Sequence, residues 1–375
     1  MDKKIRVAVV FGGESGEHEI SLMSAASLVE AIDKEKYDVS IYGINKDGGW
    51  KSGKEAAFML RANLSDAVAK ELLINRSMSE QEACAAEIGA LSPQSGAGIL
   101  ETTQSSRIFQ EASFKDIDVV FPILHGTKGE DGVIQGLFEL MNIPYVGSGV
   151  LASALAMDKS MTKKVLASEG IDQADYITCY YHEFFKEPAQ IMKKISRLQY
   201  PLFVKPANTG SSVGISKVND ESQLLSALET AFCCDRKVVV EQGIVGREIE
   251  VAVLGNEEPI APIAGEIISK REFYDYHAKY TEGEASLEVP ADLPVEIDLE
   301  IRALAIRIFK ILDCSGLARV DFFLDKENTI IFNEINTLPG FTKFSMYTKM
   351  LESAGISYKE VIDRLIMCAL ERSER

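Results

Sequence analysis

The stretch GLARVDFFLDKENTIIFNEINTLPG, residues 316–340, carries two apolar runs around the polar turn Asp325-Lys326-Glu327-Asn328. Strand side chains alternate between two faces, so a hairpin here has a readable register. With Glu327 and Asn328 at the turn centre, Arg319 faces Asn336 and Asp321 faces Glu334. All four side chains then share one face. Two facing carboxylates repel unless a cation lies between them. Glu-x-Asn from one strand and Asp from the other are hard oxygen donors, suited to Mg2+ that also holds phosphates. A solvated acidic face is the ordinary alternative for such a hairpin. Asp321 weighs against it, because a carboxylate inside the run Val320–Leu324 is a poor choice for a strand.

Over a hundred residues upstream, Tyr200-Pro-Leu-Phe-Val-Lys205 reads as a short strand ending in a lysine, followed by the loop PANTGSSVG. Glycine and serine let backbone N–H groups approach anionic oxygens, and the lysine adds a point charge. A mobile surface loop can have the same composition. No GxxxxGK[ST] occurs, and the first glycine turn, FGGESGE, lacks GxGxxG spacing. The separation of loop and hairpin suits a nucleotide gripped between two units better than a Rossmann crossover.

The chain opens with a strand at Ile5–Phe11, a glycine turn and a helix from about 19 to 32, the usual start of a parallel α/β sheet. Strands follow at Tyr37–Ile44 and Ile117–Leu124, then the loop HGTKGEDG, a helix at Val133–Met141 and a strand-like IPYVG. Residues 46–115 read as less regular, with a helical stretch near 64–90 and a Ser/Gly/Gln-rich loop near 92–106. Beyond Gly149 the pattern predicts helices at 159–168 and 221–232 and strands at 202–205 and 238–241. It then predicts strands at 248–254 and 262–268, a long polar loop at 270–290, a helix at 296–311 and the hairpin. Three units are expected: 1–148, 149–241 and 242–375.

The 375 residues are too many for one ordinary core. A net charge of -17 disfavours nucleic acid and an anionic membrane surface as partners. An acidic chain can still bind ATP, because local loops and a metal set the potential at a phosphate site. Six scattered cysteines, without CxxC, fit reduced thiols in the cytoplasm. No signal peptide or run of membrane-spanning length is read, so a cytoplasmic location is expected.

Taken in order, several blocks resemble the D-alanine–D-alanine ligase family of the ATP-grasp superfamily. They are VVFGGESGEHEISLMSA, ILHGTKGEDGVIQGLFELMNIPYVGSGVLASALAMDK and PLFVKPANTGSSVGISKV, then VVVEQGIVGREIEVAVLG, FYDYHAKY, and ARVDFFLD with FNEINTLPGFTKFSMY. The ordered set spans nearly the whole chain. The resemblance implies an α/β ATP-grasp fold with an N-terminal parallel α/β (pre-ATP-grasp) domain. It implies that ATP phosphorylates a first D-alanine, whose acyl phosphate is attacked by the amine of a second. ATP, Mg2+ (two ions, with Mn2+ as a substitute) and a homodimer are expected from it. A D-alanine–D-lactate or D-alanine–D-serine ligase, or a non-catalytic ATP-binding regulator, are the alternatives.

Site residues follow from the same resemblance. Lys159, Lys205 and Ser212 match contacts to ATP, and Lys279 would reach the γ-phosphate from a lid. Glu241, with the backbone at Gly243 and Ile244, matches the adenine contact, and Glu248 the ribose contact. Gly243 stands where some relatives have an aromatic residue. Asp321, Glu334 and Asn336 match metal ligands, in agreement with the hairpin register. Arg319 and the Gly340 N–H match oxyanion stabilisers. Glu17 matches the ammonium anchor of the first substrate, His125 lies in its loop, and Ser345 matches the carboxylate anchor of the second. Glu17, Ser211 and Tyr280 match a hydrogen-bonded trio that closes the loops. Tyr280, after Lys279, accompanies dipeptide formation in the family, and Met346 beside Ser345 resembles members that use D-alanine. His277 replaces a glutamate expected in the lid.

Overall fold

A computed structural model of the chain describes residues 3–65, 67, 68, 72, 114, 116–210, 213–269 and 285–374. The loop expected at 92–106, most of the helical stretch at 64–90 and most of the loop at 270–290 lie outside them. So do Ser211, Ser212, His277, Lys279 and Tyr280.

The first sheet contains β1 (Ile5–Gly12), β2 (Tyr37–Ile44), β3 (Trp50–Ser52) and β4 (Val119–Ile123), in the order β3-β2-β1-β4. Strand β1 is parallel to β2 and β4, while β3 is antiparallel to β2. Alternation divides β1 between two cores: Val7, Val9 and Phe11 enter one, Ala8 and Val10 the other. That is why the strand reads as a continuous apolar run rather than an alternating one. Helices α1 (His18–Ala31), α2 (Gly53–Leu60) and α3 (Val133–Leu140) accompany the sheet. The sequence pattern does not predict α2 or β3. The expected strand IPYVG is reduced to one parallel bridge, between Tyr145 and Val120. At the end of β1, a Cβ on Gly12 would lie 2.1 Å from the Ile44 carbonyl oxygen, and φ is +92°. Only glycine fits there, and the turn carries the chain to Glu17 at the start of α1.

Helices α4 (Val150–Met157) and α5 (Lys159–Ser168) lead to β5 (Tyr176–Tyr180), α6 (Tyr181–Lys186) and α7 (Pro188–Ile195). Then come β6 (Leu202–Pro206), β7 (Ser216–Val218), α8 (Glu221–Cys234) and β8 (Lys237–Gln242). The second sheet is antiparallel, in the order β5-β8-β6-β7. Strand β5 and helices α4, α6 and α7 go beyond the sequence expectation. Ala152 and Leu166, from α4 and α5, enter the core under the third sheet.

The third sheet holds β9 (Arg247–Gly255), β10 (Ala264–Ser269), β11 (Ala285–Glu288), β12 (Gly316–Leu324) and β13 (Ile330–Asn336). Its order is β11-β10-β9-β12-β13, and α9 (Val295–Ile311) packs on β9 and β12. Helices α10 (Met346–Ser353) and α11 (Tyr358–Ser373) close the chain. They return to the first sheet, where Tyr347, Met350, Val361 and Leu365 share a core with Val7, Val9 and Phe11.

The hairpin keeps the expected register at the site, with Arg319 opposite Asn336 and Asp321 opposite Glu334. Its turn differs from the expectation. Asp325 N donates to Thr329 O at 3.2 Å and Asn328 N to Asp325 O at 3.1 Å. Asn328 adopts a φ of +64°, which asparagine tolerates. Taken alone, that turn would offset the pairing by one residue. A bulge beside Asp321 restores it: Phe322 faces Phe332 while Asp321 faces Glu334, so Asn333 is the extra residue.

Candidate active site

One half of the site is built on α5, β6 and β8. Asp158 caps α5 by accepting from Met161 N at 3.1 Å. Lys159 then donates from Nζ to Thr209 O at 2.7 Å and from its backbone N to Ala207 O at 3.0 Å. These bonds tie the helix start to the loop after β6. Lys205 donates from Nζ to Glu241 Oε2 at 2.7 Å. Lys163, one turn after Lys159, brings its Nζ to 3.4 Å from Glu241 Oε1. Lys163 is 2% exposed, and Glu241 is its ionic partner.

Burial alone would raise the Glu241 carboxyl, but Lys163, Lys205 and Lys159 overcome it and hold the group down at about 2. Burial pushes the Lys163 ammonium below the ordinary lysine value, against the pull of Glu241. Burial also opposes the charge on Lys205, yet Glu241 keeps it above the ordinary value. Gly243 N donates to Pro201 O at 2.8 Å, so its N–H is committed to the fold. A Cβ on Gly243 would lie 2.9 Å from that oxygen, so a side chain there would force the backbone to shift. Ile244 follows, half-buried, and Glu248 stands half-buried on β9 opposite Ile267 and Phe323.

The hairpin forms the second part. Arg319 grips Asp321 with two bonds, Nε to Oδ1 at 2.8 Å and Nη2 to Oδ2 at 2.7 Å. Its Nε also lies 3.0 Å from Glu250 Oε2, on the neighbouring strand β9. Asn336 Nδ2 donates to Asp321 Oδ2 at 3.2 Å. Burial opposes the Arg319 charge, but Asp321, Glu250 and Glu334 hold it well above the usual arginine value. Among the described residues, no three His, Cys, Asp or Glu side chains converge as a metal site. The sequence-predicted cation donors are two carboxylates, Asp321 and Glu334, and the Asn336 carboxamide, with Asp321 engaged by Arg319 and Asn336.

The third part joins the first sheet to the loop after the hairpin. His125 is buried, with Nδ1 3.0 Å from Leu338 O and Nε2 3.3 Å from Ser24 Oγ. Glu130 Oε1 lies 3.5 Å from the same Nδ1. Burial opposes protonation of His125, yet Glu130 and Glu17 raise its pKa above the ordinary value. A Cβ on Gly126 would lie 2.8 Å from Glu17 Oε2, and one on Gly210 would lie 3.1 Å from the same oxygen. The Glu17 carboxylate is thus wedged between two glycine loops, one from the first sheet and one following β6. Ser345 Oγ accepts from Thr342 N at 3.1 Å and lies 3.4 Å from where a Gly340 Cβ would stand.

The sequence-predicted residues that are described fall into these three groups. Lys163, Glu130 and Glu250 are absent from the sequence prediction. Each had a weak signal: Lys163 follows Lys159 by four, Glu250 follows Glu248 by two on one strand face, and Glu130 lies inside HGTKGEDG.

Comparison with known proteins bears on the family and the fold. The family model "D-ala D-ala ligase N-terminus" matches residues 6–148, and "D-ala D-ala ligase C-terminus" matches residues 165–367. A D-alanine–D-alanine ligase of Caldicellulosiruptor bescii is 46% identical over 374 residues, covering 99% of this chain and 97% of that one. The structure of VanG D-Ala:D-Ser ligase from Enterococcus faecalis superposes with a TM-score of 0.77 at 35% identity, covering 98% and 100% of the two chains. A D-alanine–D-alanine ligase from Bacillus anthracis complexed with ATP gives 0.68 at 28% identity, covering 99% of each. With both halves matched in order and near-complete mutual coverage, the chain belongs to the D-alanine–D-alanine ligase family, ATP-dependent ligases of the ATP-grasp fold.

Proposed function

We propose that this chain joins two D-alanines at the expense of ATP, releasing D-alanyl-D-alanine, ADP and phosphate for peptidoglycan precursors. The supporting observation is the position of Glu17, whose carboxylate lies beside both the Gly126 loop and the Gly210 loop, in the space a side chain at either glycine would enter. That position joins the amino-acid side of the site to the loop held by Lys159.

In this reading the first D-alanine is held through its ammonium by Glu17, near His125. Its carboxylate attacks the γ-phosphoryl group of ATP, and ADP leaves. The amine of the second D-alanine, held at its carboxylate by Ser345, attacks the acyl phosphate. The tetrahedral intermediate then expels phosphate. Arg319 and the Gly340 N–H stabilise its oxyanion, and the arginine fork suits both oxyanion and phosphoryl oxygens. Lys159, Lys205 and Lys279, with Ser212, serve the phosphates. Glu241 and the backbone at Gly243 and Ile244 serve the adenine, and Glu248 the ribose. Glu17, Ser211 and Tyr280 close the loops and exclude water.

The hairpin donors fit magnesium, since they are hard oxygens with no sulfur or imidazole among them. Asp321, Glu334 and Asn336 would hold up to two Mg2+ ions, and Mn2+ would also be accepted. Bound metal neutralises phosphate charge during transfer. We further infer a homodimer in the cytoplasm, with units at 1–148, 149–241 and 242–375. No helix among the described residues is long and apolar enough to cross a membrane.

The test is phosphate release from ATP with D-alanine, against D-serine, D-lactate and L-alanine. D-alanine should support release and dipeptide formation. Release with D-alanine present only when D-serine or D-lactate is added would move the second substrate to that compound. No D-alanine-dependent release would overturn the proposal. Tyr280→Phe should raise the share of D-lactate product; an unchanged product ratio removes Tyr280 from substrate choice.

A further inference from the structure

Glu241 is contacted at both carboxylate oxygens by different lysines. Lys205 donates to Oε2 at 2.7 Å, and Lys163 lies 3.4 Å from Oε1. The two lysines differ in placement. Lys205 ends β6 beside the glycine loop and is 14% exposed at its side chain. Lys163 is 2% exposed, over the Tyr176 ring at 5.4 Å. A buried ammonium is costly unless a counter-charge meets it, and Glu241 is the counter-charge here. A methionine would fill the same space without that cost.

Lys205 has two calls on its charge, Glu241 and the nucleotide phosphates. Once it serves the phosphates, Glu241 loses its shorter ion pair while remaining buried. We propose that Lys163 is a positioning residue for the nucleotide site. It holds Glu241 Oε1 as a fixed counter-charge, so the carboxylate stays ionised and aimed at the 6-amino group of adenine while Lys205 serves the phosphates. An ionised carboxylate accepts from a 6-amino group and repels the 6-carbonyl of hypoxanthine. Lys163 therefore governs purine discrimination without touching the purine. The inference rests on reading Glu241 as the adenine contact.

The experiment is calorimetric binding of metal-free ADP and IDP from about pH 8 to about pH 5.5, a range across which an ordinary glutamate starts to protonate. The proteins are the full chain, Lys163→Met, Lys163→Arg and Glu241→Gln, each with its thermal unfolding recorded. The parent chain should prefer ADP with little pH dependence in the ratio. Lys163→Met should lose about tenfold of that preference, the size of one charge-assisted contact, with the loss growing as pH falls. Lys163→Arg restores the charge and should recover most of the preference. A parental ratio and pH profile in Lys163→Met, with Glu241→Gln impaired, overturns the role of Lys163. Equal loss in Lys163→Arg and Lys163→Met does so too, because packing and not charge would then be responsible. A parental ratio in Glu241→Gln instead overturns the assignment of Glu241 to adenine. If Lys163→Met does not fold, Lys163→Arg decides: impaired discrimination despite a folded chain and retained charge overturns the proposal, and retained discrimination supports it.

Discussion

The cluster on α5, β6 and β8 and the cluster on β9 and β12 have the same design with opposite signs. In the first, one carboxylate, Glu241, lies between two ammonium groups, Lys163 and Lys205. In the second, one guanidinium, Arg319, lies between two carboxylates, Asp321 and Glu250. Two cations against one anion leave a surplus positive charge, and two anions against one cation leave a surplus negative charge. The first suits phosphates and the second a divalent cation. In each cluster a residue assigned to a ligand (Lys205, Asp321) is engaged by the central ion; on the proposed assignments a second residue (Lys163, Glu250) would hold that ion when the first is called away. Charge would then stay paired in a buried site with or without ligands, which would lower the desolvation cost of binding.

Removing a charge from each cluster tests this symmetry. The largest effect is expected from Asp321→Asn, which takes away an assigned metal ligand. Turnover should fall by about a thousandfold with the circular dichroism spectrum retained. Turnover near the parental rate would break the comparison, because the hairpin would no longer be the cation-holding side.

The acid limb of stability tests the other cluster. Glu241 is held at about 2, below an unfolded glutamate, so its ionised form stabilises the folded chain. That contribution is full above the unfolded value of about 4.3 and is lost as pH falls towards 2. It amounts to about 3 kcal/mol at most. Denaturant titrations of Glu241→Gln should show a flatter stability curve across that window. A slope equal to the parent's would mean the lysines do not hold this carboxylate.

The smallest effect is expected from Glu250→Gln, which leaves Arg319 its two bonds to Asp321 but weakens its second anchor. Turnover should drop by about tenfold through looser positioning of Arg319. A lowered preference for ADP over IDP, of the size expected for Lys163→Met, would show that the clusters are not separate.

The two clusters were unequally legible. Arg319 and Asp321 are two apart on one strand, and their partners follow by hairpin register, so alternation alone brought them together. The register survived a wrongly placed turn, because the bulge at Asn333 restored the pairing. Lys163 and Glu241 are on a helix and a strand far apart in the chain, and no periodicity connects them. Strands β1, β2, β4, β6 and β8 were readable as apolar runs. Helices α2, α4, α6 and α7, six to eight residues long, were not read, whereas α3, also eight residues, was legible between the glycine loop and IPYVG.

By itself the sequence determined the hairpin's donor face, the glycine-loop lysine and the ordered blocks that mark the family, because strand alternation and close backbone approach impose residue types locally. Only the tertiary structure decided what those groups meet. It wedged Glu17 between Gly126 and Gly210, set His125 against the Leu338 carbonyl, and gave Glu241 and Arg319 their second counter-ions. Such contacts depend on how sheets and helices distant in sequence pack together, and burial, which fixes the energy of each charge, exists only once they have packed.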